Sequence, residues 1–121
     1  MMKHISTVGV YVEDQPKALA FWTEKVGFTV YANFPMGPKA TWLEVGPENA
    51  QTRLVLYPKV MMKNWAELKP SIVFECDDIY KLYEDLQAKG VDVDKPNEME
   101  FGIFCFFRDE DGNQFGLKQP K

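Results

Sequence analysis

The strongest constraint in the sequence is a spacing that occurs twice. Asp14 and Gly27 lie 13 positions apart, and so do Asp77 and Gly90. Aspartate is a favoured helix N-cap, because its side chain accepts a hydrogen bond from a backbone N–H that the first turn leaves unpaired. Glycine is a favoured stop, because it enters the left-handed conformation that ends helices. Between these marks, apolar residues fall at helical intervals: Ala18, Leu19, Phe21, Trp22 and Val26 in the first stretch, and Ile79, Leu82, Tyr83 and Leu86 in the second. Pro16 sits in a first turn, where its missing N–H costs nothing. In the second stretch either Asp77 or Asp78 can serve as the cap.

Each predicted helix is preceded by a strand-like run, Lys3–Glu13 and then Ser71–Cys76, rich in β-branched and aromatic residues. Three extended runs follow each glycine. They are Phe28–Phe34, Lys39–Gly46 and Thr52–Tyr57 in the first half, separated by PMGP and GPEN, and Val91–Val93, Phe101–Arg108 and Gln114–Lys118 in the second, the last two joined by the turn signal DEDGN. Each half therefore reads βαβββ. The fold class is α+β, with two βαβββ modules in tandem (about 1–57 and 70–121) joined by a connector over 58–69, all within one domain of 1–121. The halves share little identity, so the repeat is one of architecture. The connector carries Met61, Met62 and Trp65 and reads either as an adaptable apolar lid or as a plain crossover.

A chain of 121 residues removes roughly two-thirds of its unfolded surface from water and needs no disulfide or metal staple. One histidine and two cysteines rule out a His/Cys-rich zinc or iron site and leave open only a carboxylate-dominated one. A net charge of −4 disfavours nucleic acid, which is bound by neutralising phosphates, and suits a cationic ligand better. No apolar run is long enough for a signal peptide or a membrane span. The expected location is therefore the cytoplasm, with free thiols. Cys105, in the run FGIFCFF that is apolar on both faces, reads as a buried and inert thiol within a strand that meets a helix or a partner chain with one half and a cavity with the other.

Three groups of residues carry a family resemblance over nearly the whole chain. They are Val10-Tyr11-Val12-Glu13-Asp14 leading into Ala20-Phe21-Trp22 and Val26-Gly27-Phe28; Phe74-Glu75-Cys76-Asp77-Asp78 leading into Gly90-Val91; and Phe107-Arg108-Asp109-Glu110-Asp111-Gly112-Asn113 before Gly116-Leu117. The chain resembles the vicinal oxygen chelate superfamily of glyoxalases, bleomycin resistance proteins and dioxygenases. The resemblance implies a cup-shaped mixed sheet and, in metal-using members, four inward ligands, two from each module. Counted from the matching motifs, those positions are Thr7, Val55, Ser71 and Gly116 here, and none offers a usual transition-metal donor. His4 lies three residues before Thr7, and that odd offset puts it on the other strand face, as a polar residue at a strand's start.

The resemblance therefore implies the metal-free branch: no cofactor, a small organic ligand, and a homodimer. The alternative is a lyase, isomerase or dioxygenase of the same superfamily with an unusual or metal-independent site, and a third reading is a dimeric module with no small ligand. Alternation from the four positions places Thr7, Gly9 and Tyr11; Arg53, Val55 and Tyr57; Ser71, Val73 and Glu75; and Gln114, Gly116 and Lys118 on the inward face. This mixture suits a lined cavity, or a face that is partly covered and wet. Trp42, Phe104 and Phe106 join the candidate ligand contacts as strand aromatics. Glu44 and Glu75 read either as buried general bases or as carboxylates that are solvated or salt-bridged, with Arg53 or Lys118 as partners.

Overall fold

The computed structural model describes residues 5–38, 40–62, 67, 72–100 and 102–120. The chain divides into two compact units, Met1–Lys69 and Pro70–Lys121. In the first, β1 (Thr7–Val12) runs parallel to β4 (Arg53–Pro58), and β3 (Thr41–Gly46) and β2 (Thr29–Pro35) follow in antiparallel pairing, giving the order β1-β4-β3-β2. In the second, β5 (Ile72–Glu75) runs parallel to β9 (Gln114–Pro120), which pairs antiparallel with β8 (Gly102–Arg108). The far side of β8 is taken by two short strands, β6 (Asp92–Val93) and β7 (Asn97–Met99). The α+β class holds, with one mixed sheet in each unit. The run expected near Val91–Val93 stops and then resumes at Asn97, because Pro96 has no N–H to donate to the ladder; the last bond before it runs from the Asp94 N–H to the Phe106 carbonyl at 2.8 Å.

The helices α1 (Gln15–Ala20) and α2 (Ile79–Ala88) begin at Asp14 and Asp78, whose carboxylates accept from the N–H groups of Lys17 (3.0 Å) and Lys81 (3.2 Å). The second cap is thus Asp78, and its helix is one residue shorter to its glycine than the first. The extra residue of the first module is absorbed by a π-helical turn, Phe21–Lys25, in which Val26 N–H reaches back to the Phe21 carbonyl at 3.1 Å. There the Thr23 hydroxyl donates to the Leu19 carbonyl at 2.8 Å. Gly27 (φ +89°) and Gly90 (φ +81°) then turn the chain out of each helix. Beyond them Phe28 N–H bonds the Trp22 carbonyl (2.8 Å) and Val91 N–H bonds that of Leu86 (3.0 Å). The Phe28 and Trp22 rings stack at 5.2 Å across this exit.

One face of each sheet forms the core. Val10, Val12, Leu54 and Leu56 are buried on the α1 side with Ala18, Phe21 and Trp22, and Ile103, Cys105, Phe107, Phe115 and Leu117 are buried in the second unit with Ile79 and Leu86. Each such large apolar side chain stabilises the fold by about 1.5–3 kcal/mol. The DEDGN turn is built on Asp109, only 8% exposed, which accepts from the N–H groups of Asp111 (3.0 Å) and Asn113 (2.8 Å) and from Asn113 Nδ2 (2.9 Å). Burial nevertheless pushes its pKa above the usual aspartate value.

β3 and β4 pair only at Glu44–Val55 and Val45–Leu54. Beyond that point their backbones are joined through Gln15 at the start of α1. Its Nε2 donates to the carbonyls of Thr41 (2.7 Å) and Leu56 (2.8 Å), and its Oε1 accepts from the Thr41 N–H (3.1 Å).

Candidate functional site

Register sets the opposite face of the first sheet. Parallel pairing aligns Thr7 with Arg53, Gly9 with Val55, and Tyr11 with Tyr57, so the six residues expected from alternation do share a face. Glu44 lies opposite Val55, which brings Glu44 and, two residues away, Trp42 onto it as well. A cleft of about 280 Å3 opens on this face where the β3–β4 pairing stops. It is lined by Thr7, Gly9, Tyr11, Trp42, Val55 and Tyr57, and by Met62 beyond β4. Tyr11 and Tyr57 meet edge to face at 6.2 Å and 76°. Gly9 leaves room for this arrangement, since a methyl group there would stand 3.3 Å from the Tyr11 hydroxyl.

Arg53 shares the face but lies outside the cleft lining, and its charge is turned to Glu44. Glu44 Oε1 is 3.5 Å from Arg53 Nη1, and Glu44 Oε2 accepts from the Trp42 indole N–H at 2.6 Å. The Arg53 guanidinium lies 4.0 Å over the Tyr31 ring. Tyr31 is itself fixed: its hydroxyl donates to the Pro47 carbonyl (2.5 Å) and accepts from the Ala50 N–H (3.2 Å). Glu44 is therefore the salt-bridged carboxylate of the two sequence readings. Its tie to Trp42 follows from their spacing of two, whereas Tyr31 escaped alternation because β2 bulges between Val30 and Ala32.

In the second unit, Val73 aligns with Gly116 and Glu75 with Lys118, and β8 adds Phe104, Phe106 and Arg108 opposite Lys118, Gly116 and Gln114. The expected face is again continuous. Phe104 and Phe106 border a cavity of about 500 Å3 with Cys105, Met99, Asn97, Lys95 and Asp94. Glu75, Gln114, Gly116 and Lys118 share the face but are not in the lining of this cavity. Gly116 is covered: a Cβ there would lie 3.1 Å from Val73 Cγ2 and 3.6 Å from Phe106 Cε1. Gln114 Oε1 accepts from Arg108 (3.2 Å), which also makes a two-pronged pair with Asp94 at 3.0 and 3.1 Å and thereby holds the Asp94 carboxyl below its usual pKa. The run FGIFCFF is expected to meet a helix or a partner chain with one half and a cavity with the other, and Phe104 and Phe106 do border a cavity. Ile103, Cys105 and Phe107 are buried, but Phe106 is 43% exposed. Ser71, His4, Trp65 and Phe101 lie outside the described residues.

Of the four positions where the resemblance places metal ligands, Thr7 and Val55 line the first cleft and Gly116 lies beneath Val73 and Phe106. A threonine hydroxyl, an isopropyl group and a hydrogen atom do not make a transition-metal donor set. Among the described residues no group of three or more His, Cys, Asp or Glu side chains is placed to hold a metal ion. At these three described positions the residues do not fit the metal of the metal-using members.

Comparison with known proteins agrees with this architecture. The chain is 59% identical to the uncharacterized protein YetH of Bacillus subtilis (strain 168) over 120 residues, covering 98% of this chain and 100% of that protein. It superposes on the crystal structure of TnmS3, an antibiotic binding protein from Streptomyces sp. CB03234, with a TM-score of 0.87 and 35% identity over 99% of this chain and 98% of that one. A glyoxalase/bleomycin resistance protein from the same Streptomyces matches with a TM-score of 0.80 and 36% identity, over 96% and 100% of the two chains. Residues 3–117 match the family profile itself, and the chain belongs to the Glyoxalase/Bleomycin resistance protein/Dioxygenase superfamily.

Proposed function

We propose that this protein binds a small aromatic or cationic organic compound without the help of a transition metal, as a cytoplasmic homodimer. The observation that carries the reading is the first-unit cleft, where three aromatic side chains share the lining with Thr7 and Val55, two of the positions at which the resemblance places metal ligands. Apolar aromatic walls with a few hydroxyl groups are what a small-molecule pocket requires, and about 280 Å3 lies near the lower end of the roughly 300–1,000 Å3 usual for such sites. The solved relative described as an antibiotic binding protein supports the same class of ligand.

Titration calorimetry against a panel of aromatic and cationic compounds, bleomycin-type antibiotics included, tests the proposal. At least one compound is expected to bind with a dissociation constant well below about 1 mM, and Trp42→Ala to weaken it at least about tenfold. A panel with nothing tighter than about 1 mM would remove the binding reading. Stoichiometric nickel, zinc, iron or manganese in the native protein would replace it with a metal enzyme.

A further inference from the structure

We infer that Glu44 is a positioning residue for the cleft: it fixes the plane of Trp42 as a wall for a flat ring and lends the ligand no charge of its own. This rests on the binding reading above and goes beyond it by assigning how the aromatic wall is held. Trp42 lines the cleft, and its indole N–H is committed to Glu44 Oε2 at 2.6 Å. A charge-assisted bond of this length leaves the indole little freedom to rotate. Glu44 is in turn held, because its other oxygen faces Arg53 at 3.5 Å and Arg53 is laid on the Tyr31 ring at 4.0 Å. Tyr31 is anchored to the backbone at Pro47 and Ala50. The relay Tyr31–Arg53–Glu44–Trp42 thus runs from a bulged edge strand to the wall of the cleft. Glu44 itself does not line the cleft, its side chain is only 16% exposed, and its charge is balanced by Arg53. Beyond Tyr11 and Tyr57 the next charges along the chain, Glu13 and Lys59, pair with each other at 4.0 Å. A wall fixed before the ligand arrives lowers the ordering cost of binding.

Two ligands that differ only in charge separate positioning from direct attraction. Wild type, Glu44→Ala and Glu44→Gln are titrated with 1-naphthylmethanol and with the (1-naphthylmethyl)ammonium ion, and the Trp42 indole N–H signal, assigned through Trp42→Phe, is followed for exchange with solvent by NMR. If Glu44 positions Trp42, Glu44→Ala weakens both compounds at least about tenfold and to the same extent within about threefold. Glu44→Gln, which keeps an acceptor for the indole, then restores both to within about threefold of wild type, and the indole N–H is protected in wild type and Glu44→Gln but not in Glu44→Ala. Should Glu44→Ala fail to fold, Glu44→Gln carries the test, since it removes the charge and keeps the acceptor. Loss of the ammonium compound alone in Glu44→Gln would make the carboxylate a direct cation partner and overturn the inference, as would wild-type affinity in Glu44→Ala. If neither compound binds the wild type, the same variants are titrated with the compound that the wider panel returns, and a panel with nothing tighter than about 1 mM removes the binding reading and this assignment with it.

Discussion

Gln15 shows how much one side chain can decide. Its amide supplies three hydrogen bonds to the backbones of Thr41 and Leu56, where β3 and β4 have stopped pairing. Leaving such backbone groups without partners costs about 1–3 kcal/mol, so Gln15→Ala is expected to lower stability by that amount in chemical denaturation, and a change under about 0.5 kcal/mol would contradict the assignment. The thiols make a second residue-scale case. Burial, with smaller contributions from the charges of Cys76 and Asp94, pushes Cys105 up to about 11, and burial together with Asp77, Asp78 and Glu75 raises Cys76 as well. At pH 8 both are protonated, and a thiol-specific reagent should modify the half-buried Cys76 slowly and Cys105 only after unfolding. Because the unfolded Cys105 ionises near its ordinary value while the folded one keeps its proton, stability should fall as pH rises from about 9 to about 11. A flat pH profile over that range would count against the burial of this thiol. The burial of Cys105 was readable from its apolar run, and the faces of Thr7, Tyr11, Val55 and Tyr57 from alternation. The bridge made by Gln15 was not, since nothing in a helix's first turn says which strand backbones lack partners.

At the scale of elements, the two helices look equal in sequence and are built differently. The repeated spacing of 13 depends on reading Asp77 as the second cap, whereas Asp78 takes that place and the first helix keeps its extra residue in the Phe21–Lys25 turn. One π turn shifts apolar positions too little for a periodicity of 3.6 to expose it. Thr23 closes this irregularity through the Leu19 carbonyl, so Thr23→Val should cost about 0.5–1.5 kcal/mol while Thr23→Ser should cost less, as differences in denaturation midpoint would show. Equal losses in the two variants would point to the methyl group and not the hydroxyl. The strand β7 was hidden for another reason: Asn97–Met99 is exposed throughout and carries no alternation to mark it.

For the whole molecule, the order of elements and the match of caps, stops and turns made the βαβββ duplication readable, and both sheets keep one scheme. In each, the strand before the helix lies parallel to the last strand of its module. The pockets were less readable. Alternation says which residues share a face, whereas a pocket depends on where pairing ends and where a strand breaks, and neither leaves a pattern in the sequence. The proposed homodimer belongs to this scale. Sedimentation equilibrium is expected to give twice the chain mass of 14.0 kDa, and a species of 14.0 kDa at concentrations up to about 100 μM would exclude it.

The unfinished ladder between β3 and β4 sets a conflict that selection for stability alone would resolve the wrong way. Substitutions that extended their pairing past Glu44 and Val55 would give the Leu56 carbonyl a backbone donor in place of Gln15 and raise the melting temperature, while drawing Trp42 toward Tyr57 and narrowing the cleft. Screens for thermostable variants of this chain should therefore enrich for proteins that fold better and hold less.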